Sequence, residues 1–413
     1  MELIPHLFRT EYSRIAAVLC RHFGLAQMEI AEDIASETFL TAAQTWPING
    51  IPQNPVAWLH HVAKNKTINF LQRNQVFDKK VMPHLKNNNN TISNDSIDLS
   101  EQNVYDSQLQ MMFAICHPSI PAEAQIGLAL RILCGFGIDE IASAFLENKE
   151  TINKRLYRAK EKLRSENIKI ELPPTHEINQ RLETVLTTLY LLFNEGYYSE
   201  SNDTLIREDL CQEAMRLAYL LTENESTNQP AVAALLSLMC FHASRFEARK
   251  NNNGEMVLYH EQDESLWNQQ LIARGAYYMQ QASVGNNVTK YHLEASIAYW
   301  HTQKNDSKEK WDNILQLYNR LLQLAYSPIA ALNRTYALAK TYDKPTAIAA
   351  AEKLQLNNNH LYHSLLAELY HGIDNNKAIT HLQTALSLAK SAADKNLLSK
   401  KILLYKELLL DKE

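Results

Sequence analysis

The segment from Ile138 to Leu163 constrains the fold of this chain more than any other part of the sequence. Apolar residues recur there with the spacing of an α-helix, first over 138–145 and again over 152–163, and the stretch 146–149 interrupts them. Two short amphipathic helices that meet at a tight turn would account for both runs. The segment therefore predicts a helical hairpin.

The second helix of this hairpin is strongly basic. Six of the twelve residues from Asn153 to Arg164 are Lys or Arg, although the whole chain carries a net charge of −5. Basic side chains on a helix neutralise phosphates, and Asn and Arg can read base edges. The segment thus predicts a helix-turn-helix whose second helix enters a major groove. An ordinary helical hairpin with a solvated charged face is the alternative that this segment alone leaves open.

Composition favours an all-α protein of two or three domains. The 413 residues include only 10 Gly and 12 Pro, which suits helices better than sandwiches or nucleotide-binding α/β folds. The five cysteines are dispersed and show no ligand-like spacing, so we expect buried free thiols. The sequence has neither a signal peptide at its start nor eighteen consecutive apolar residues. We therefore expect a soluble cytoplasmic protein that does not bind a membrane.

The N-terminal 75 residues predict a three-helix domain with faces of opposite charge. The first two helices are read between Leu7 and Thr45, and the second of them is acidic. A loop from Trp46 follows, and Asn54 and Pro55 are typical of a helix start. The third helix is basic on its exposed face. Two faces of opposite charge predict two different partners.

Three further parts follow along the chain. The polar segment 76–106 predicts a flexible linker, and 107–170 predicts a second helical domain that contains the hairpin. Residues 171–413 predict a large helical domain. Within it, the similar sequences at 321–325, 352–356 and 385–389 recur about every 32 residues, which is typical of tetratricopeptide-like helix pairs. A plain helical bundle remains the alternative.

These parts together resemble a known family. AEDIASETF followed by Trp46, and NPVAWLHHVAKNKTINFLQR after it, resemble the polymerase-binding and minus-ten-binding domain of extracytoplasmic-function sigma factors. The segment from Met111 to Leu163 resembles the minus-thirty-five-binding domain of that group. The C-terminal part, with LYLLFNEGYYS, HEQDESLWNQQLI and KYHLEASIAYWH, resembles the subgroup with a tetratricopeptide-like helical extension.

The resemblance implies roles for individual residues. The acidic helix would dock on the core RNA polymerase, the loop from Trp46 would hold a flipped base, and the third helix and the recognition helix would contact promoter DNA. The residues implied in core polymerase binding are Glu32, Asp33, Glu37 and Phe39. Those implied in DNA binding are Trp46, Asn54, Trp58, Lys64, Asn65, Asn69, Arg73, Lys149, Asn153, Lys154, Arg155, Arg158, Lys160 and Lys162.

Two departures from the family pattern concern DNA binding. Asn69 stands where the family often has Asp, and Gln72 stands where a second Arg is usual. We expect weaker contact with the DNA backbone at these positions. Since the whole chain is acidic and non-specific DNA affinity depends largely on counterion release, we also expect the protein to need the polymerase for tight promoter binding.

The sequence predicts neither an enzyme nor a cofactor. His60 and His61 are adjacent and cannot share one helical face, and His360 with His363 lacks a third ligand at suitable spacing. Two functions remain open. One is a sigma factor that binds core RNA polymerase and promoter DNA, with a C-terminal domain that regulates it and binds a protein or small-molecule ligand. The other is a helix-turn-helix regulator fused to a helical-repeat scaffold.

Overall fold

The computed structural model describes residues 3–81, 97–145, 147–197, 207–251 and 257–410. Within these ranges the regular structure is helical and contains no β-strand, which confirms the predicted all-α class. The chain divides into two compact units, residues 1–188 and 189–413. The polar run of the predicted linker at 87–90 and the turn residue Leu146 lie outside the described residues.

Unit 1 contains seven described helices and most of an eighth. They are α1 (Leu3–Phe23), α2 (Met28–Asn49), α3 (Pro55–Val81), α4 (Glu101–Ile115), α5 (Ala122–Leu128), α6 (Ile138–Ala144), α7 (Lys149–Ser165) and α8 (Thr175–Tyr197). A short π-helical segment, Ala129–Leu133, continues α5. The core of the unit includes the face of α1 that periodicity predicts, with Tyr12, Ile15 and Leu19 fully buried.

Helix α2 is longer than the sequence suggests. It continues past the expected end at Thr45, through Pro47, to Asn49. The helix stops where the N–H of Gly50 donates to the carbonyl of Trp46 at 3.0 Å, and the φ of Gly50 is +83°. Because that conformation suits glycine, the sequence ends α2 at Gly50 and not at Trp46. Trp46 is therefore helical, and the exposed loop begins only after Asn49.

The helices on both sides extend into the predicted linker. Helix α3 continues to Val81, and α4 begins at Glu101 instead of near Ser107. Ser100 caps α4, since its side chain accepts from the N–H of Asn103. Arg21 of α1 donates to the side chain of Asn103 at 3.0 Å, which ties this first turn of α4 to the N-terminal domain.

The predicted hairpin forms α6 and α7. Asn148 caps α7 by accepting from the N–H of Thr151 at 2.8 Å. The buried face of α7 is the one that periodicity predicts: Ile152, Leu156, Ala159 and Leu163.

Helix α8 contains the chain position at which unit 1 ends, Thr188, and unit 2 begins, Leu189. Arg181 donates to the carbonyl of Phe113, and Thr188 donates to the side chain of Gln125 at 2.8 Å. These bonds attach the first half of α8 to unit 1. The compact C-terminal unit thus begins at 189, later than the predicted boundary at 171.

Unit 2 is helical in all its described regular structure and contains α9 to α18. Their bounds are α9 (Glu208–Thr222), α10 (Pro230–Ala243), α11 (Gln269–Ala282), α12 (Lys290–Trp300), α13 (Lys308–Leu324), α14 (Pro328–Thr341), α15 (Lys344–Glu352), α16 (His360–Tyr370), α17 (Asn375–Leu388) and α18 (Ala392–Leu410). Of the three similar sequences, 321–325 and 385–389 end α13 and α17, whereas 352–356 begins at the last residue of α15 and continues into the turn after it. Four helices in this region have a side-chain N-cap: Ser327 for α14, Asp343 for α15, Asn359 for α16 and Asp374 for α17.

Candidate polymerase and nucleic-acid interface

Glu32 of α2 is buried between two basic side chains of the second half of unit 1. Its side chain is 8% exposed, and its two oxygens accept from Arg131 Nε at 2.9 Å and from Lys160 Nζ at 2.5 Å. Lys160 lies on α7 and is 12% exposed. Removing a buried carboxylate from two such partners would leave their charges uncompensated. In this arrangement, one residue implied in polymerase binding and one implied in DNA binding therefore bind each other.

Arg164 extends the same contact by one turn. Its Nε donates to the carbonyl of Leu25 at 3.1 Å, and its guanidinium pairs with Glu29. Lys160 Nζ also lies 3.9 Å from Glu29. The C-terminal half of the basic helix thus lies against the N-terminal end of the acidic helix, and charge complementarity joins them.

Asp33 and Glu37 of α2 form no ion pair with α7 in the described part of the chain. Both are exposed, and Glu37 accepts from Lys66 Nζ of α3 at 3.1 Å. They line a shallow recess of about 330 Å³ together with Asn69 and Arg73 of α3. The structure therefore brings acidic and basic residues, for which the sequence predicts separate faces, to the same recess.

Phe39 lies in the hydrophobic core and not on the surface of α2. Its side chain is buried, and its ring centre lies 5.0 Å from that of Phe8 and 6.5 Å from that of Tyr12. In this arrangement Phe39 packs α2 against α1. It would support polymerase-binding residues without touching a partner.

The loop after α2 is supported by two tryptophans. Trp46 is buried, Trp58 is half-buried, and their ring centres are 5.4 Å apart in an edge-to-face arrangement. Asn54 caps α3 by accepting from the N–H of Ala57 at 3.0 Å. The predicted DNA-binding residues Trp46 and Asn54 therefore shape the loop, while Trp58 keeps part of its surface accessible.

Two apolar side chains at this loop are more exposed than the residues that the sequence singles out. Ile48 is 83% exposed and Ile51 is 60% exposed, on either side of Gly50. In the sequence, the signal for this exposure is one isoleucine on each side of Gly50, the glycine that ends α2. Their exposure makes them candidates for apolar contact with an unstacked base.

The basic face of α3 is accessible. Lys64 is half-buried, while Asn65, Asn69 and Arg73 are exposed. Asn65 is hydrogen-bonded to His61 one turn earlier, at 2.9 Å. Three of the four predicted residues of this face can therefore meet a ligand without rearrangement.

Helix α7, the predicted recognition helix, carries exposed side chains as well as side chains that are engaged within the protein. Asn153, Lys154 and Arg158 are exposed, and Tyr157 beside them is 63% exposed. Arg155 is only half-buried, but its Nη2 donates to Glu147 at 2.5 Å and its guanidinium carbon lies 5.8 Å from the ring centre of Phe145. Arg155 therefore fixes the turn before α7, and its neighbours are better placed to read bases.

Two more residues implied in DNA binding, Lys149 and Lys162, have carboxylate partners nearby in the chain. Lys149 Nζ lies 3.0 Å from Asp139, and Lys162 Nζ lies 2.8 Å from Glu166. Since the four side chains are at least one-third exposed, these pairs contribute little to stability. Both lysines can exchange their carboxylates for phosphates at low cost.

Arg131 is absent from the residues predicted to be functional, yet the structure places it at the centre of the contact with Glu32. Arg131 also donates to the carbonyl of Phe136 at 3.2 Å. It is the one charged residue in the apolar stretch from Ala124 to Phe136. A lone cation in a run that is otherwise buried indicates a specific acidic partner, and this signal could have located the contact.

The described residues contain no group of three or more His, Cys, Asp or Glu side chains that could hold a metal ion. No helix in the described ranges combines the length and the apolar character needed to cross a membrane. All five cysteines are buried free thiols, as predicted.

Comparisons with known proteins identify two regions. The family described as sigma-70 region 2 matches residues 7–76, and a family of unknown function (DUF6596) matches residues 181–283. An uncharacterized protein of Rhizobium meliloti (strain 1021) is 31% identical over 382 residues, which cover 91% of this chain and 89% of that protein. No solved structure matches the chain.

Proposed function

Since this chain belongs to the same family as the Rhizobium meliloti protein and carries a sigma-70 region 2 domain at its N-terminus, we propose that it is an RNA polymerase sigma factor of the extracytoplasmic-function type. It would bind core polymerase, recognise a two-part promoter and help to melt it. Its place of action would be the cytoplasm, and it would act without catalytic residues or a cofactor. The match of residues 7–76 to region 2 is the observation that carries this proposal.

The exposed residues of unit 1 support a division of roles. Asp33 and Glu37 offer carboxylates to basic residues of the polymerase. Ile51 of the loop, with Ile48 at the end of α2 and Trp58 in α3, would offer a surface on which a flipped base can stack. Such stacking would offset part of the few kcal/mol, roughly, that unstacking costs. Asn153, Lys154 and Arg158 of α7 would meet the upstream promoter element in the major groove.

The contact between α2 and α7 suggests a resting state of this sigma factor. Glu32 cannot meet the polymerase, and Lys160 cannot meet DNA, while they bind each other at 2.5 Å. Binding to both partners would therefore require α7 to leave α2. Core polymerase and promoter DNA would each favour the open state, because each replaces one side of this ion pair.

The large helical unit 2 would control the transition. It exceeds what promoter recognition needs, and its family match at 181–283 overlaps the helix α8 that joins both units. The helix pairs from α13 to α18 would form a tetratricopeptide-like surface for a protein segment or a small molecule.

Charge reversal on α2 tests polymerase binding directly. We expect the double variant Asp33→Arg/Glu37→Arg of the full chain to lose at least about tenfold in affinity for core polymerase, equivalent to about 1.4 kcal/mol or more. Glu183→Arg is the matched control, because Glu183 is an exposed carboxylate in the middle of α8. Affinities measured by fluorescence anisotropy that are equal for the double variant, the control and the natural chain would contradict the proposal.

A further inference from the structure

Unit 2 contains a cluster of basic side chains around two tyrosines, Tyr197 and Tyr259. The members come from separate elements: the end of α10 and the turn after it, the end of α12, and the first turn of α13. We name it the basic cluster and define it as His242, Arg245, Arg249, His301 and Lys310. Arg245 and Lys310 are almost fully buried, at 6% and 1% exposed. Burial lowers the pKa of Lys310 to about 8, whereas the guanidinium groups of Arg245 and Arg249 stay charged.

One half of the basic cluster surrounds Tyr259. Lys310 Nζ donates to the hydroxyl of Tyr259 at 2.9 Å and lies 5.0 Å from the centre of its ring. The guanidinium carbon of Arg245 lies 5.5 Å from the same ring centre, and the ring of His301 contacts it edge-to-face at 5.2 Å. Two cations thus share one aromatic ring within a largely buried region.

The other half surrounds Tyr197. The guanidinium carbon of Arg249 lies 4.1 Å from the ring centre of Tyr197, and the ring of His242 lies 4.5 Å from it. Tyr197, Arg249, His242, Tyr259 and His301 are all partly exposed. The basic cluster thus combines the buried Arg245 and Lys310 with neighbours that keep part of their surface exposed.

Two guanidinium groups of the basic cluster have buried N–H donors without acceptors in the described part of the chain, whereas Lys310 Nζ donates to the hydroxyl of Tyr259 and to the carbonyl of Gln303. The Nε of Arg245 and the Nη1 of Arg249 are buried and have no hydrogen-bond partner among the described residues. The same holds for Nε1 of Trp267, whose ring stacks 6.3 Å from that of Tyr259. Buried charged donors without acceptors are strongly disfavoured, so a chain would not keep them without a compensating group.

The nearby carboxylate does not fill this need. Asp306 attracts Lys310, but its oxygens accept from Lys340 Nζ at 3.0 Å and from Nε1 of Trp311. Within the described ranges, neither arginine of the basic cluster forms an ion pair with a carboxylate. Their charges therefore lack a compensating anion there.

The two histidines are neutral and can therefore accept or donate hydrogen bonds. Burial, together with the charges of Arg245 and Lys310, lowers the pKa of His301 to about 3. Burial, followed by the charges of Arg245 and Arg249, holds the pKa of His242 well below its usual range. The protein thus already avoids two further positive charges here, and a negative charge is what the site would accommodate.

We propose that the basic cluster is a binding site for a small anionic molecule whose phosphate or carboxylate group is held by Arg245 and Arg249. Guanidinium groups suit both oxyanions because their paired N–H donors match the geometry of two oxygens. The rings of Tyr197, Tyr259 and Trp267 would pack against the organic part of the molecule. This site does not depend on sigma activity, since its evidence lies within unit 2.

Thermal unfolding of the full chain with defined anions tests this proposal. The probes are inorganic phosphate and benzoate, each titrated against sodium chloride at equal ionic strength, so that general screening stays constant. We expect at least one probe to raise Tm by several degrees in a saturable manner, because a ligand that binds only the folded state stabilises it. Absence of a saturable shift with both probes would overturn the proposal.

Two arginine variants make the test specific. Arg245→Met and Arg249→Met should each abolish the probe's effect on Tm. In chloride alone Arg245→Met should unfold at the same temperature as the natural chain or higher, because the substitution removes an uncompensated buried charge. Arg274→Met is the matched control: Arg274 is an exposed arginine of unit 2 that lies 5.7 Å from the ring centre of Tyr219. It should keep the full response.

The variants can also contradict the proposal. An unchanged response to the probe in Arg245→Met and Arg249→Met would place the anion elsewhere. A large loss of stability of Arg245→Met in chloride would show that the arginine is satisfied within the protein and needs no ligand.

Discussion

Arg155 and Arg158 lie one turn apart on α7, but their surroundings in the structure indicate different roles. Arg155 is engaged by Glu147 and lies over Phe145, whereas Arg158 is exposed and has no ion pair among the described residues. By residue type and position on the helix alone, the two arginines would be equivalent. Their surroundings make Arg155 a residue that positions the turn and Arg158 one that can reach a base.

Base readout by Arg158 can be distinguished from phosphate contact by Lys162. Arg158→Ala should cost about 1–3 kcal/mol at one or two base positions of the promoter, because a bidentate contact to a base edge is lost. Lys162→Ala should weaken all sequences similarly and reduce the salt dependence of binding. Competition assays with matched and mismatched upstream elements, in the presence of core polymerase, measure both. Identical behaviour of the two variants would refute these roles.

The cysteines should be inert in the native protein. Burial raises the pKa of the Cys116 and Cys240 thiols to about 12 and raises that of Cys20 and Cys211 as well. A raised pKa keeps the thiol protonated at pH 8, and only the thiolate attacks alkylating reagents. We expect slow labelling by iodoacetamide of the folded chain at pH 8 and rapid labelling of all five thiols after unfolding in urea. Mass spectrometry counts the labels, and one thiol labelled rapidly in the folded chain would contradict this.

At the scale of elements, periodicity predicted most of the helices but not their partners. The apolar face of α7 and the stripe on α1 were both readable because burial repeats with the helical turn. The contact of Glu32 with Lys160 was not readable, since 128 residues separate them and a charged face does not specify what it meets. The end of α2 was also missed, because it depends on the backbone of Gly50. The two exposed isoleucines beside that glycine were overlooked for the same reason.

The contact of α2 with α7 predicts that its disruption promotes polymerase binding. Lys160→Glu would place a second carboxylate beside Glu32 and would disfavour the closed state, in which α7 lies against α2. If that state dominates in the free protein, affinity for core polymerase without DNA should rise, by about tenfold if the closed state is favoured by about 1.4 kcal/mol.

Lys162→Glu is the control for this experiment. Lys162 lies on the same helix but is 53% exposed, and within the described residues it forms an ion pair with Glu166 and with no residue of α2. Its reversal should leave core affinity unchanged. The use of core polymerase without promoter DNA separates this effect from lost phosphate contacts. Equal affinities of the two variants would show that the ion pair with Glu32 does not limit polymerase binding.

At the scale of the whole molecule, two units of similar length share one chain, and α8 links them. Because Arg181 and Thr188 bond to unit 1, a truncation that removes unit 2 should end after α8. We expect residues 1–197 to bind core polymerase as well as the full chain, while their promoter-dependent transcription differs several-fold from that of the full chain. Circular dichroism must first show that the shorter chain is folded. Equal transcription by both would show that unit 2 does not regulate this step.

Transcription with purified core RNA polymerase is the most direct test of whether this chain acts as a sigma factor. Genomic fragments that include the region upstream of the gene for this chain are transcribed with core polymerase alone, with the chain alone and with both. We expect specific transcripts only when both are present, with start sites that share a two-part upstream sequence. Specific retention of such DNA by the chain alone at physiological salt, without any stimulation of transcription by core polymerase, would contradict it and favour a helix-turn-helix regulator instead.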